Sequence, residues 1–396
     1  MNTLQTTHDW SRQLWRDNVD PEFLSALRQA ITEHVVPHAD AIDRDDVYPV
    51  EPIKALARLG YTSLTLPAQW GGQDSGYACC AAVFEEASYA SAAVGISLIT
   101  ILQAQTLINL FAAPSLKQIV LPEFSKGLIT AYALTEANHG SDIRSLDTKA
   151  VRSADGWILN GRKSFITSGS AAEAFIVLAE TEVGVSTFFV RRHMPGVSSF
   201  KGENATTFGL RNGPHVDLIL ENVHLPADHL VGIEGKGVRQ AVTTLDFSRT
   251  VAGAISIGIA RAAFDSALKF ASQRIAFDQT VLEFQGIQWY FADMMTEIDA
   301  ARLLVYEACR ALDAHQDIAR YASEAKLLAS RVATRVAEQA IQICGAHGVT
   351  ENAPFGRYLR DAKAYEIAGG SSEILKNTIA KHLLKFARTT MQGDQV

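Results

Sequence analysis

Apolar residues recur along this chain with two different periods, and the change of period marks its organisation. Toward the C-terminal end they return at three- and four-residue steps: Val238, Val242 and Leu245, then Ala262, Ala263, Ala267, Leu268 and Phe270. That is the stripe of an amphipathic helix. From Pro226 to Pro354 there is no proline, although the chain has eleven, and the interval is rich in residues that hold helices well. Long helices packed antiparallel are predicted there. The first third reads similarly. Leu24, Leu27 and Ile31 form one stripe behind Asp20-Pro21-Glu22; Ile53, Leu56 and Leu59 form another, ending at Gly60 as a helix C-cap would. The glycine-rich break Gly71-Gly72-Gln73-Asp74-Ser75-Gly76 precedes a helix expected from about Ala78 to Leu110.

The middle third is different. Ser153-Ala154-Asp155-Gly156 and Asn160-Gly161 are turn signals, and each is followed by a short apolar run, Trp157-Ile158-Leu159 and Phe165-Ile166-Thr167. Further strands are predicted at Ala174–Ala179, Ser186–Val190, Val216–Leu220 and Val223–Leu225. The order is helices, a β insert, then long helices, with no internal repeat.

Composition narrows the function. The chain has 396 residues, and Lys+Arg 36 against Asp+Glu 43 leaves a formal charge of −7. A mildly acidic balance gives no footprint for nucleic acid and no polybasic membrane patch. Apolar residues at 47% and charged residues at 20% describe a folded enzyme-sized protein. The N-terminal stretch shows no secretory h-region, and the apolar runs read as too interrupted to span a membrane. Four cysteines (Cys79, Cys80, Cys309, Cys344) suggest neither a disulfide framework nor a zinc site, so a reducing, cytoplasmic compartment and no metal are expected. GxGxxG after a strand, GxxxxGK[ST], HExxH and GxSxG are all missing.

Three segments carry chemistry. They are Ala133-Leu134-Thr135-Glu136-Ala137-Asn138-His139-Gly140-Ser141-Asp142, Lys163-Ser164-Phe165-Ile166-Thr167-Ser168-Gly169, and the run from Gln342 through Arg360-Asp361-Ala362-Lys363 to Gly370-Ser371-Ser372-Glu373-Ile374. Between them lie Leu245-Asp246-Phe247-Ser248-Arg249, Arg274-Ile275-Ala276-Phe277-Asp278-Gln279 and Phe284-Gln285. In order and spacing these resemble the acyl-CoA dehydrogenase superfamily of flavoproteins, with Ala137 at a usual proline, His139 at a usual alanine and Asp278 at a usual glycine. The resemblance implies a mainly α chain with a central β-domain: an N-terminal helical domain (1–128), a small β-barrel (129–234) and a C-terminal four-helix bundle (235–396). It also implies FAD between them and a homotetramer.

The same resemblance assigns roles. Tyr132, Leu134, Thr135, Gly140 and Ser141 would lie along the flavin, with Phe165 and Thr167 at its other edge. Arg274 and Phe277 would reach the FAD diphosphate and adenine of a neighbouring subunit, approached also by Gln342 and Gly345; Ser371 and Glu373 would touch FAD. A guanidinium suits a pyrophosphate because its planar fork bonds two oxygens together. Ser141, Ser248 and Arg249 would meet substrate. The family reaction removes an α-proton and a β-hydride from an acyl thioester, which needs enolate stabilisation and a base. Both positions where members carry that Glu are vacant, one being Gly369 and the other Ser248. Gly369 keeps its backbone N–H. Three explanations remain open. A substitute base is one, with Glu366 first and Glu85, Glu86, Tyr365 and His139 behind it. A flavin monooxygenase using dioxygen is the second, and a catalytically silent flavoprotein the third. Dehydrogenation of an acyl-CoA or acyl carrier protein thioester, with an electron-acceptor flavoprotein as partner, is the expectation.

Overall fold

The computed structural model describes residues 19–202 and 205–393; residues 1–18, on which the lack of a secretory h-region was read, lie outside them. Among the described residues the helices α1 (Pro21–His34), α2 (Ala39–Asp45), α3 (Val50–Arg58), α4 (Tyr77–Ala90), α5 (Ala92–Phe111) and α6 (Pro114–Phe124) come first. Strands follow: β1 (Thr130–Ala133), β2 (Lys149–Ser153), β3 (Gly156–Ile166), β4 (Ala174–Thr181), β5 (Gly184–Arg191), β6 (Val197–Lys201) and β7 (Val216–Pro226). Then come α7 (Gly237–Gln273), the hairpin β8 (Ile275–Ala276) and β9 (Gln279–Thr280), α8 (Gln285–Asp313), α9 (Ala319–Cys344), α10 (Phe355–Ile367) and α11 (Ser372–Gly393).

Two expectations change. The single helix from Ala78 to Leu110 is two helices, α4 and α5, broken at Ser91, a residue type that favours a helix start over a helix interior. The apolar runs also go further than they read. By length and composition α5 and α7 are both apolar enough to cross a membrane. In each, 83% of the most apolar window is buried inside the protein, which is how a core helix passes that test. Ser, Thr and Gln interrupt the apolar run in each helix, and a long apolar window tolerates them.

The chain forms two compact units. One comprises Ala30–Gly76 and Ala93–Ser248 and contains the sheet. Its seven strands run β1-β4-β2-β3-β7-β6 with β5 also on β4, parallel where β4 meets β1 and β2 and antiparallel elsewhere. Trp157, Leu159, Phe175, Val177, Phe188, Leu218 and Val223 bury a common face, with the Trp157 and Phe188 rings edge to face at 5.3 Å.

The other unit comprises the described residues up to Gln29, Tyr77–Ala92 and the chain from Arg249 onward. Its hub is α9, which packs on α8, α10 and α11. Two glycines let α7 approach its neighbours closely. A Cβ on Gly253 would lie 2.5 Å from Val305 Cγ2, and one on Gly258 would lie 2.4 Å from the Glu85 carbonyl oxygen. Beside that crossing, charge is buried. Arg261 Nη1 donates to Glu85 Oε1 at 2.5 Å and to Glu86 Oε1 at 3.3 Å, and Arg302 Nη2 donates to Glu85 Oε1 at 2.9 Å. Arg28 reaches Glu86 at 3.3 Å, and the Tyr89 hydroxyl donates to Asp265 at 2.8 Å. Ions out of water need such mutual pairing. Glu85 and Glu86 are therefore the anions of a network tying α4, α7 and α8 together, and as substitute bases they drop out.

Candidate functional site

In the sheet unit, β1 delivers Tyr132 and then a loop. Its start is a tight turn in which Glu136 and His139 exchange backbone hydrogen bonds of 3.0 and 3.1 Å. Glu136 anchors the turn from within. Its carboxylate accepts from Lys163 Nζ at 2.8 Å, the Thr148 N–H at 3.0 Å and the Asp147 N–H at 2.6 Å. Burial pushes this carboxyl up, but the bonds from Lys163, Thr148 and Asp147 outweigh it and hold it at about 2. Burial pulls the Lys163 ammonium down to about 8 despite its partner. Lys163 also donates to the Leu134 carbonyl at 3.3 Å, and the Ser164 N–H donates to the Thr135 carbonyl at 2.9 Å. Two stretches some thirty residues apart are thereby joined edge to edge. The ligand atoms of Glu136, His139 and Asp147 lie within 4.8 Å of one another, but Glu136 is already engaged by Lys163 and two N–H groups.

This edge suits a flat aromatic group. Phe165 is 52% exposed and held at φ 57°, so the strand turns its ring outward. A Cβ on Gly140 would meet nothing within 4 Å, and Ser141 is exposed. Thr167 Oγ1 lies 3.5 Å from His215 Nε2. Burial pushes the His215 ring down to about 4, so it stays neutral. No sequence signal marked His215, because it stands just ahead of β7 without helical or ligand spacing.

In the helical unit, Arg274 follows α7 and begins the β8–β9 hairpin. Phe277, at its tip, is 91% exposed and lies edge to face with Phe284 at 6.2 Å. Asp278 takes φ 62°, the region glycine favours and Asp tolerates, so the departure from the usual glycine costs little. The Phe270 ring stacks on His347 at 5.2 Å, which ties the end of α7 to the turn carrying Gly345 just after Gln342. Gly345, at φ 54°, also faces open space.

The loop between α10 and α11 holds the vacant base position. Gly369 takes φ 70° and Gly370 φ 113°, and a Cβ on Gly369 would meet nothing within 4 Å. Arg249, buried, donates from Nε to the Gly369 carbonyl at 3.2 Å. Lys326, fully buried on α9, donates to the carbonyls of Gly370 at 2.9 Å and Glu366 at 3.1 Å. Sequence reading missed Lys326, yet a signal existed. It lies four residues after Ala322 and three before Ala329, on the buried stripe of its helix. Burial, with Arg249 beside it, brings its ammonium down to about 7. Glu366 accepts from Thr334 Oγ1 at 2.6 Å and from Lys363 Nζ at 3.2 Å. Tyr365 is buried, which pushes its phenol well above the usual range. His139 Nε2 lies 3.7 Å from Asp147. Ser371 and Glu373 open α11, with Glu373 in its first turn. In the sheet unit, Ser248 accepts from Gln103 Nε2 at 3.1 Å and donates to the Leu245 carbonyl at 3.0 Å, so it supplies no base.

Sequence profiles for the N-terminal, middle and C-terminal domains of acyl-CoA dehydrogenase match residues 20–128, 131–223 and 235–384. The chain belongs to the acyl-CoA dehydrogenase family. It is 35% identical over 387 residues, covering 95% of this chain and 93% of that protein, to the mitochondrial 2-methylacyl-CoA dehydrogenase of Solanum tuberosum. The structure of butyryl-CoA dehydrogenase from Megasphaera elsdenii superposes with a TM-score of 0.89 at 33% identity, covering 92% of this chain and 97% of that one. A second solved structure, PigA with FAD and proline, matches at 25% identity and a TM-score of 0.86, covering 91% and 96%. At family level the expected oxidoreductase, flavoprotein and FAD dependence hold.

Proposed function

We propose that this acyl-CoA dehydrogenase family member carries out α,β-dehydrogenation of an acyl thioester, on coenzyme A or on a carrier protein. The observation that carries the reading is the Ser164 to Thr135 backbone bond, which joins the two flavin-facing stretches into one edge with an exposed Phe165 ring. Tyr132, Leu134, Thr135, Gly140, Ser141, Phe165 and Thr167 would hold the flavin ring there. FAD, when bound, accepts the β-hydride. The chain's own part is to orient the thioester against the Gly369 backbone, a loop that Arg249 and Lys326 hold in place. Ser141, Ser248 and Arg249 are the residues proposed to meet the substrate. Glu366 is the protein's own candidate to take the α-proton, although Thr334 and Lys363 already engage it.

The reading includes a homotetramer in which Arg274, Phe277, Gln342 and Gly345 reach the FAD of a neighbouring subunit, while Ser371 and Glu373 touch the cofactor. The 91% exposure of the Phe277 ring supports it. It also keeps the division at 1–128, 129–234 and 235–396, a cytoplasmic location and an electron-acceptor flavoprotein. Arg274→Ala should loosen FAD retention by about 1.5–3 kcal/mol, because it removes a charge-assisted contact. Light scattering of a monomer that keeps its FAD would contradict the tetramer.

The test of the reaction is anaerobic mixing of holoprotein with a panel of acyl-CoA thioesters, followed at the flavin absorbance bands. Rapid bleaching is expected. A second reading, oxygenation by reduced flavin and dioxygen, draws support from the open space at Gly369. It predicts no bleaching by any thioester, and oxygen uptake with product once the flavin is reduced by other means.

A further inference from the structure

We infer that the acyl group this enzyme oxidises bears a hydroxyl beyond its α and β carbons, and that the side-chain amide of Gln103 recognises it. The inference rests on the dehydrogenase reading, in which Ser248 meets the substrate, and it names the substrate class.

Its basis is one polar pair in an apolar setting. Among the described residues, α5 and α7 are the helices apolar enough to cross a membrane. Several of their hydroxyls close on their own helix: Ser97 donates to the Ala93 carbonyl, Thr244 to that of Gln240 and Ser256 to that of Ala252. Gln103 does otherwise. It is 8% exposed, stands among the buried Leu102, Ala104 and Leu107 of α5, and sends its Nε2 across to Ser248 Oγ on α7 at 3.1 Å. Both residues belong to the sheet unit. Ser248 spends its one proton on the Leu245 carbonyl at 3.0 Å, so toward the amide it can only accept. That fixes the amide, with nitrogen toward the serine and the carbonyl oxygen turned away. Among the described residues no group donates to this oxygen. Gln105 Oε1, two residues on, is also unpartnered but sealed from solvent; Gln103 Oε1 is not sealed.

An amide oxygen on a side chain nine-tenths buried is costly to leave unserved. While solvent reaches it, water can serve it. An alkyl chain laid against Ser248 would displace that water and return no hydrogen bond, which loses affinity. A hydroxyl on the chain donates to Oε1 and accepts from the second Nε2 hydrogen, so both ends of the amide are restored. It suits the place better than an ammonium, because Gln103 and Ser248 offer no negative charge to hold one. The hydroxyl must sit beyond Cα and Cβ, since those carbons lose hydrogen and become the double bond. A site built to bond a hydroxyl also rejects the analogue that lacks it.

The test matches thioesters for size: γ-hydroxybutyryl- against pentanoyl-CoA, δ-hydroxypentanoyl- against hexanoyl-CoA and ε-hydroxyhexanoyl- against heptanoyl-CoA. Each is mixed anaerobically with the FAD holoenzyme at equal subsaturating concentration, and calorimetry measures binding separately. At least one hydroxylated member should reduce the flavin about 100-fold faster than its partner and bind correspondingly tighter. Gln103→Leu, similar in size but apolar, should invert that preference to about tenfold in favour of the alkyl chain. Its urea midpoint checks that it folds. Ser248→Ala, which unties the amide, should lower the preference by a smaller factor. Equal rates and binding in every pair, a methyl-ended member ahead in every pair, or an undiminished preference in folded Gln103→Leu each overturn the inference while leaving the dehydrogenase reading standing. So does an equal loss for both members of each pair in Gln103→Leu, which would make the pair a packing device only. Tighter binding of ε-aminohexanoyl- than of ε-hydroxyhexanoyl-CoA overturns the choice of a hydroxyl. No reduction by any thioester overturns both readings.

Discussion

At the turn after β1 a buried ammonium meets a buried carboxylate, whereas at the loop after α10 two buried cations meet backbone carbonyls. Both loops belong to the motifs that carry the family resemblance. In the first, the motif's carboxylate is present and structural. Glu136 is enclosed by Lys163 and two N–H groups, and it holds the strand edge that displays Phe165. In the second, the carboxylate is gone from Gly369, the backbone geometry is kept by Arg249 and Lys326, and the vacated volume stays open. A retained Glu and a missing Glu thus say different things. One marks a place where folding needs the charge. The other marks a place where the fold does without it, so the change bears on chemistry.

The largest effect should come from breaking the first loop. Glu136→Gln leaves Lys163, which is 0% exposed, without its counter-ion. Removing one member of a buried pair costs about 3–5 kcal/mol. The check is the urea midpoint of the variant. Lys163→Met on top of Glu136→Gln should recover part of the loss, because the orphaned charge disappears. A Glu136→Gln midpoint within error of wild type would mean the pair is dispensable and the contrast between the loops is false.

A smaller effect sits at the same edge and is read through pH. The His215 ring is held at about 4 in the folded protein, against an ordinary 6.5. As pH falls through 6.5 the unfolded chain takes up this proton first. The stability His215 contributes is therefore full above 6.5 and drains as pH drops toward 4. At about 1.4 kcal/mol per unit, the loss reaches at most about 3.5 kcal/mol. Glu136, held at about 2 against an ordinary 4.5, begins to lose its contribution only below pH 4.5, outside the interval from 7 to 5. His229, also pushed down by burial, adds its own slope, so the decisive quantity is a difference. Between pH 7 and pH 5 the denaturation midpoint of His215→Gln should fall less than that of wild type. Parallel slopes would remove the neutral ring from the account.

How much of this was legible beforehand differs between the regions for physical reasons. The alternation of Trp157 and Leu159 and the apolar run at Phe175–Val177 announced strands, because one side of each packs into a shared core. The helical stripe through Ala322 and Ala329 announced α9, and Lys326 lay on that stripe as a visible anomaly. What stayed hidden was partnership. Glu85 and Glu86 read equally well as bases or as packing residues until Arg261 and Arg302, about 175 and 217 residues away, proved to be their partners. Sequence spacing carries no information about pairings at that range. His215 stayed hidden for the same reason, since only the fold brings it to Thr167. The vacancy at Gly369 was readable directly, because it needed only a motif and a missing side chain.

The smallest effect probes the second loop. Gly369 at φ 70° lies in the left-handed region, where a Cβ crowds its own backbone, so Gly369→Ala should cost about 1–2 kcal/mol from conformation. Nothing else should add to that, since no atom lies within 4 Å of the new methyl group. Gly370→Ala is the control. Its φ of 113° is strained too, and its Cβ would start 3.0 Å from Arg249 Nη2, so the guanidinium must shift and its bond to the Gly369 carbonyl should weaken. Gly370→Ala should therefore lower the urea midpoint more than Gly369→Ala. The two differ in how far φ lies from the left-handed helical region and in whether a buried cation is disturbed. If they were equal, neither the Arg249 contact nor the wider φ of Gly370 would add a cost. If Gly369→Ala were the costlier, the space beside it would not be open.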